Sequence, residues 1–451
     1  MSSKFLWAAS TLALFPAIIS PSYAASDAEI EILRAEIQSM KQAYESKISG
    51  LETRLQDMES KQVAQIQPAA GGVDAASVSA VSSQNSANAF NPAIGVVLNG
   101  HYAAFSNESS DVAGFGVGQE GGRMSEGLGL DEAELNFTAN IDDKFMGKLT
   151  AALSEQDGET ETELEEAFIK TTSLPYGISV KAGRFLQPIG YLNEHHGHTD
   201  DFSDRPLPNR VFLNNAYKDD GVMASVILPT DLYTELGAGV YRGNDFPGGG
   251  SDGSDFGSWL SYLRTGGDLG DDVSWMASLS TLQSRPEERA ANDDTVLFHG
   301  DSDLYAASLR MTWAPTGNNT EQEVSLQGEY FIRKEDGTYE DSNAGTGAVG
   351  YDEHQNGWYL QSVYKFDPQW RVGARYSRLD SGDVPAGLAG SALDSGGHDP
   401  WNASLMMDWS NSEFSRVRLQ YGHEEPASGQ KDNQFILQYI MSLGAHPAHT
   451  F

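Results

Sequence analysis

Tyr305-Ala-Ala-Ser-Leu-Arg-Met-Thr-Trp313 changes character at every residue. Tyr305, Ala307, Leu309, Met311 and Trp313 form one set; Ala306, Ser308, Arg310 and Thr312 form the other. Side chains of an extended chain point alternately to opposite faces, so the segment reads as a strand with one apolar and one polar face. Ala133, Leu135, Phe137, Ala139 and Ile141 alternate in the same way with Glu132, Glu134, Asn136, Thr138 and Asn140. So do Trp370, Val372, Ala374 and Tyr376 with Arg371, Gly373, Arg375 and Ser377, and Val417, Leu419 and Tyr421 with Arg416, Arg418 and Gln420. About sixteen such segments of roughly ten residues follow Ala93.

The connections decide how these strands close. Short ones fall at Asp142-Asp143, Ser173–Tyr176, Pro229–Asp231, Leu269–Asp271, Asp367-Pro368 and Ser410–Glu413. Long ones lie between them, near Ser106–Gly127, Gln187–Tyr217, Asn244–Asp255, Arg285–Asp301, Asp336–Tyr351 and Ser381–Asp399. A barrel in an outer membrane has short turns at one rim and long loops at the other. Aromatic side chains gather near strand ends (Trp259, Trp313, Trp358, Trp370, Trp401, Trp409), where an interfacial girdle belongs. The expected fold is an all-β transmembrane barrel of about 16 antiparallel strands over 92–451, preceded by an N-terminal coiled-coil helix. A wet lumen needs no apolar partner, which accounts for a hydrophobic content of only 39%.

The N-terminus sets the compartment. Lys4, the apolar run Phe5–Ile19 and the small-x-small site Ser22-Tyr23-Ala24 read as a signal peptide over 1–24. Over 25–67, Ile30, Leu33, Ile37, Met40, Tyr44, Ile48, Leu51, Leu55 and Met58 recur at three- and four-residue steps. So narrow a stripe is buried by copies of itself, giving a periplasmic coiled coil and a homo-oligomer, a trimer by analogy. The Ala-, Ser- and Gly-rich stretch 68–91 reads as a flexible linker. A net charge of −35 over 451 residues argues against nucleic acid, and against a bulk anion channel unless positive charge is concentrated locally. The chain has no cysteine, which excludes disulfides and thiolate sites. The terminal Phe451, ending an outward-facing last strand, looks like a signal to the barrel-assembly machinery; lipids and lipopolysaccharide would surround the wall.

Two groups of side chains carry the expected chemistry. Arg310, Arg333, Arg371, Arg375, Arg416 and Arg418 stand on polar positions late in the chain, and Glu132, Glu134 and Glu165 on polar positions early in it. Facing ladders of this kind line a pore and select ions, or they pair and brace the wall. The second group is His195, His196, His198, Asp200 and Asp201 in the longest connection, a mixed imidazole and carboxylate set suited to Zn2+ as ligand or cargo. His and Asp adjoin there with no nucleophile motif beside them, so an enzyme is not expected.

Asn88-Ala-Phe-Asn-Pro-Ala-Ile94, Lys181-Ala-Gly-Arg-Phe185, Gly190-Tyr-Leu-Asn-Glu-His-His196, Asp219-Asp-Gly-Val222, Pro229-Thr-Asp-Leu232 and Ser442-Leu-Gly-Ala-His-Pro-Ala-His449 resemble one family. It comprises Gram-negative outer-membrane proteins with an N-terminal coiled coil, often labelled zinc-regulated TonB-dependent outer-membrane receptors. More distantly the chain is similar to the phosphate-selective porins. The resemblance implies an outer-membrane location and a link to zinc. A TonB-dependent receptor carries a globular plug and a barrel of about 22 strands; 68–91 is too short for such a plug. A porin passing small solutes or ions is therefore the expected function. The alternatives are a receptor for zinc or a metal chelate, and a structural protein tethering the envelope.

Overall fold

The structure is a computed structural model that describes residues 92–107, 111–156, 159–249 and 256–444. The expected signal peptide, coiled coil, linker and terminal Phe451 lie outside the described residues.

Alternating segments must pair their backbone groups, and only closure leaves no open edge. The early strands are β1 (Ala93–Phe105), β2 (Gly127–Asn140), β3 (Phe145–Gln156), β4 (Glu159–Thr171), β5 (Ile178–Leu186), β6 (Lys218–Ile227), β7 (Tyr233–Tyr241), β8 (Ser258–Leu269) and β9 (Val273–Ser284). A short β10 (Arg289–Ala291) precedes β11 (Val296–Trp313), β12 (Glu323–Asp341), β13 (Val349–Asp367), β14 (Trp370–Asp380), β15 (Trp401–Ser412), β16 (Ser415–Ala427) and β17 (Gln430–Gly444). Neighbours pair antiparallel in chain order, and β1 pairs with both β2 and β17, closing the wall. Because β11 pairs directly with β9, β10 only extends the sheet at one rim; sixteen strands close the barrel.

The outer face is apolar. Leu309 and Trp313 are 45% exposed, while inward Ala306 is 4% exposed. Leu98, Leu135, Leu279, Leu360, Leu405, Leu419 and Leu437 share the outer exposure, and Trp370 faces Trp409 across β14–β15 with ring centroids 6.3 Å apart. A continuous apolar surface of this extent is suited to lipid, not water.

Loop length follows the expected parity with corrections. Strands β11–β13 are 18–19 residues long, so the long connections expected near 285–301 and 336–351 are partly strand. At the long-loop rim β3 pairs with β4 out to Gln156 and Glu159, and 428–429 is a tight turn because β16 and β17 pair out to Ala427 and Gln430; at the other rim 314–322 is an extended turn.

One seam is thin. Strands β4 and β5 pair only from Ala167–Lys170 to Arg184–Lys181. Within it Gly183 has φ +127°, and a Cβ there would meet the Ala167 carbonyl oxygen at 2.1 Å. We expect Gly183→Ala to cost at least about 2–3 kcal/mol through strain and forced separation. It should lower the temperature at which the folded band converts on a semi-native gel; an unchanged temperature would argue against this account of the seam.

Candidate functional site

The connection 187–217 turns inward instead of standing outside. Its base is tied by one side chain: Asn193 Nδ2 donates to the Gln187 and Tyr217 carbonyls (2.8 and 2.9 Å), and Asn193 Oδ1 accepts from the Tyr217 backbone N–H (2.6 Å). Pro206 stands at the N-cap position of the helix α1 (Leu207–Leu213), Pro208 fits its first turn, and Asn214 ends it in the left-handed region at φ 52°. Leu207, Val211, Phe212 and Leu213 are almost wholly buried. Phe212 packs on Phe115 of connection 106–126 (6.0 Å) and on Phe331 of β12 (6.1 Å). With Phe185, Leu260, Leu282 and Leu304 these form an apolar core inside the barrel. The expectation of a purely polar lumen is thus corrected: strand positions beneath the inserted loops are apolar because protein, not water, covers them.

Beyond the base the loop crosses the barrel. Gly190 N–H donates to Ser280 Oγ on β9 (3.2 Å), and Glu329 on β12 accepts the N–H groups of Tyr191 and Leu192. Asp201 takes Nη1 of Arg371, the second residue of β14 at its short-turn end, at 2.8 Å, with Arg310 Nη1 3.9 Å away. Arg375 holds the Asp204 carboxylate (2.6 Å); Arg416 and Arg418 donate to the carbonyls of His198 (2.8 Å) and Asp200 (2.6 Å). Burial disfavours charge on Asp201, but Arg371 and Arg310 outweigh it and hold the carboxyl below its usual range. Most of the arginine group therefore latches the loop. Arg333 stands apart, at the long-loop end, against Glu335 (3.5 Å) and Gln355.

On the opposite wall a β-bulge between Thr150 and Ala151 shifts the register of β3–β4. Glu165 and Glu166, adjacent in sequence, consequently both reach the loop, since a bulge re-aims one side chain. His196 Nε2 donates to Glu166 Oε2 (2.9 Å), which also binds the Lys148 ammonium. Its Nδ1 lies 3.1 Å from Glu165 Oε2 and 3.6 Å from Glu134 Oε2; His198 Nδ1 lies 3.1 Å from that same Glu134 oxygen. Burial opposes charge on His196, but the carboxylates of Glu165, Glu166 and Glu134 against its ring carry the pKa up to about 10. Two sets, Glu132–Glu134–His198 and Glu134–Glu165–His196, each place three ligand-type atoms within 4.8 Å of one another.

The five loop residues expected to gather around a metal do not form one set. His196 and His198 meet wall glutamates. His195 stacks on Tyr191 (4.5 Å) with Nδ1 2.9 Å from the Tyr191 carbonyl oxygen, and burial lowers its pKa. Asp200 pairs with Arg205 (2.9 Å) and Asp201 with Arg371. Sequence reading missed Glu166 and Lys148: strict alternation lets only one of two neighbouring glutamates face inward. The usable signal was that neither glutamate of such a pair can face lipid.

No family model matches the chain. It is 28% identical over 396 residues, 81% of each chain, to an uncharacterized protein of Aquifex aeolicus (strain VF5). Among solved structures it is similar to the anion-selective porin from Comamonas acidovorans, with TM-score 0.50 and 13% identity over 78% of this chain and 100% of that one. It is also similar to the outer membrane channel DcaP of Acinetobacter baumannii, with TM-score 0.49 and 13% identity over 78% and 97%. The fold is a porin-type β-barrel: sixteen closing strands place it with porins of 16–18 strands and not with the plugged 22-stranded transporters.

Proposed function

We propose that the protein is a channel of a Gram-negative outer membrane for small hydrophilic solutes and ions, with 187–217 setting the width and charge of the passage. The observation that carries this reading is the loop's bonding to both walls of the lumen. Exposure suggests the route. Along β16, Arg418, Gln420 and Glu424 are at most 2% exposed. On the β3–β6 side, the charged side chains of Glu163, Arg184 and Lys148 keep 40%, 25% and 20% exposure. Solutes would pass between the loop and that wall. Glu132, Glu134, Glu163, Glu165 and Glu166 outnumber Lys148, Lys181, Arg184 and Lys218 there, and Arg184 is already paired with Asp220, which favours cations. The arginines across the lumen are matched by Asp201, Asp204 and Asp408 and would contribute little to selectivity. The apolar repeat at 30–58 would join copies of the chain, as a trimer, through a periplasmic coiled coil.

Purified protein in planar bilayers should give stepwise conductance, with a reversal potential of cationic sign in a salt gradient. Glu163→Gln should reduce that potential, and Arg310→Gln should leave its sign unchanged. A barrel silent at every voltage would overturn the channel reading; an anionic reversal potential would overturn the route.

A further inference from the structure

We propose that His196, His198, Glu134 and Glu165 form a binding site for one divalent transition-metal ion of the zinc class, clamped between the loop and the wall. Ligands bound at about 2.0–2.2 Å to one tetrahedral ion stand about 3.3–3.6 Å apart. Here three of the four imidazole-to-carboxylate separations are 3.1, 3.1 and 3.6 Å, while His198 and Glu165 belong to two different triads that share Glu134, the carboxylate between them.

The second observation is what these atoms leave undone. Glu134 Oε2, Glu165 Oε2 and His198 Nδ1 are buried without a hydrogen-bond partner, although Glu134 is only 1% exposed and His198 8%. His198 Nδ1 and Glu134 Oε2 approach to 3.1 Å without aligning as donor and acceptor. Two ligands directed at a shared ion meet in this way, whereas a buried carboxylate oxygen with no partner is costly. The outer contacts fit as well. His196 donates its Nε2–H to Glu166, the carboxylate–histidine arrangement that turns the other ring nitrogen's lone pair toward a metal. Asn136 donates to Glu134 Oε1 (3.2 Å) and so leaves Oε2 for the ion.

Two imidazoles with two carboxylates select Zn2+ or a neighbouring transition ion over calcium or magnesium, which take oxygen alone. Glu132 is within reach as a further carboxylate beside His198. Because the ligands come from the loop and from strands β2 and β4, a bound ion would also bridge the passage proposed above. The binding site itself does not depend on that passage conducting.

The test is calorimetric titration of chelator-treated full-length protein in detergent with Zn2+, repeated with Co2+ while its visible absorption is followed. Wild type should bind one ion per chain, with a Co2+ spectrum of nitrogen and oxygen ligation. His198→Gln and Glu134→Gln should each weaken binding at least about tenfold, whereas His195→Ala should bind as wild type does. The folded band on a semi-native gel certifies each variant; should one fail to fold, the other decides. No saturable heat and no Co2+ spectrum in wild type, or unchanged isotherms in the folded variants, would overturn the site. A bilayer arm separates the two proposals: Zn2+ that binds but leaves the current unchanged upholds the site and removes the β3–β6 route.

Discussion

Replacing Gly190–Asn214 with a short glycine–serine turn is expected to raise single-channel conductance by at least about threefold and to abolish ion preference. Conductance is set by the narrowest section of a pore. A sixteen-stranded barrel free of inserted protein leaves a wide aqueous channel, while here the loop reaches from Glu166 on β4 to Arg371 on β14. Retaining Gln187 and Tyr217 keeps the backbone bond from the Gln187 N–H to the Tyr217 carbonyl (3.1 Å) at the strand ends, although the Asn193 tie is lost. Arg371, Arg418 and Glu329 would lose loop partners, but water entering the lumen would hydrate them, so they would not be stranded charges. The apolar inner wall is a different case. Phe331, Leu260 and Leu304 would face water, and the folded band should convert at lower temperature. Liposome swelling supplies the independent reading, since larger sugars should enter through the shortened variant. Equal conductance and an equal size cut-off would show that the constriction lies elsewhere.

How much of this was legible depends on the physical range of each signal. Alternation is local, and in Tyr305–Trp313 or Trp370–Ser377 it assigns every residue to a face that the structure keeps. The barrel was readable because lipid enforces that pattern on the outside of every strand. The inside is under no such rule. Phe331 and Leu304 point inward, and nothing nearby in sequence says that α1 and Phe115 will cover them. Glu165 and Glu166 show the same limit. Period two sends one of them outward, and only the register shift opposite Thr150 turns both toward His196. The histidine run was visible as a candidate ligand set, but its partners lie 30 residues or more away, on β2 and β4. Charge identity was legible, then; which charge answers which was not, because a loop that folds inward chooses partners across the lumen.

Arg371→Ala should be the most damaging single substitution among the loop latches. Its guanidinium donates through Nε and Nη2 to Asp408 (3.0 and 2.6 Å) and through Nη1 to Asp201 (2.8 Å), tying β14 to β15 and both to the loop. Removal leaves Asp408, with no exposed side-chain surface, as a buried carboxylate with Arg418 Nε at the longer distance of 3.7 Å and, among the described residues, no charged hydrogen bond in place of the lost pair. Breaking one partner out of a buried pair costs about 3–5 kcal/mol. The lower part of that range applies, because the Arg371 side chain is itself 21% exposed and Arg418 remains nearby. Two readouts separate the roles of the residue. The conversion temperature on a semi-native gel should fall through Asp408, and open-channel current should become noisy through release of Asp201 and the loop. The double variant Arg371→Met/Asp408→Asn should recover most of the temperature, since neither partner then carries an unanswered charge, yet the noise should persist because Asp201 still lacks its donor. Single and double variants that melt with wild type and open as quietly would mean that the loop is held by its buried helix and not by this arginine.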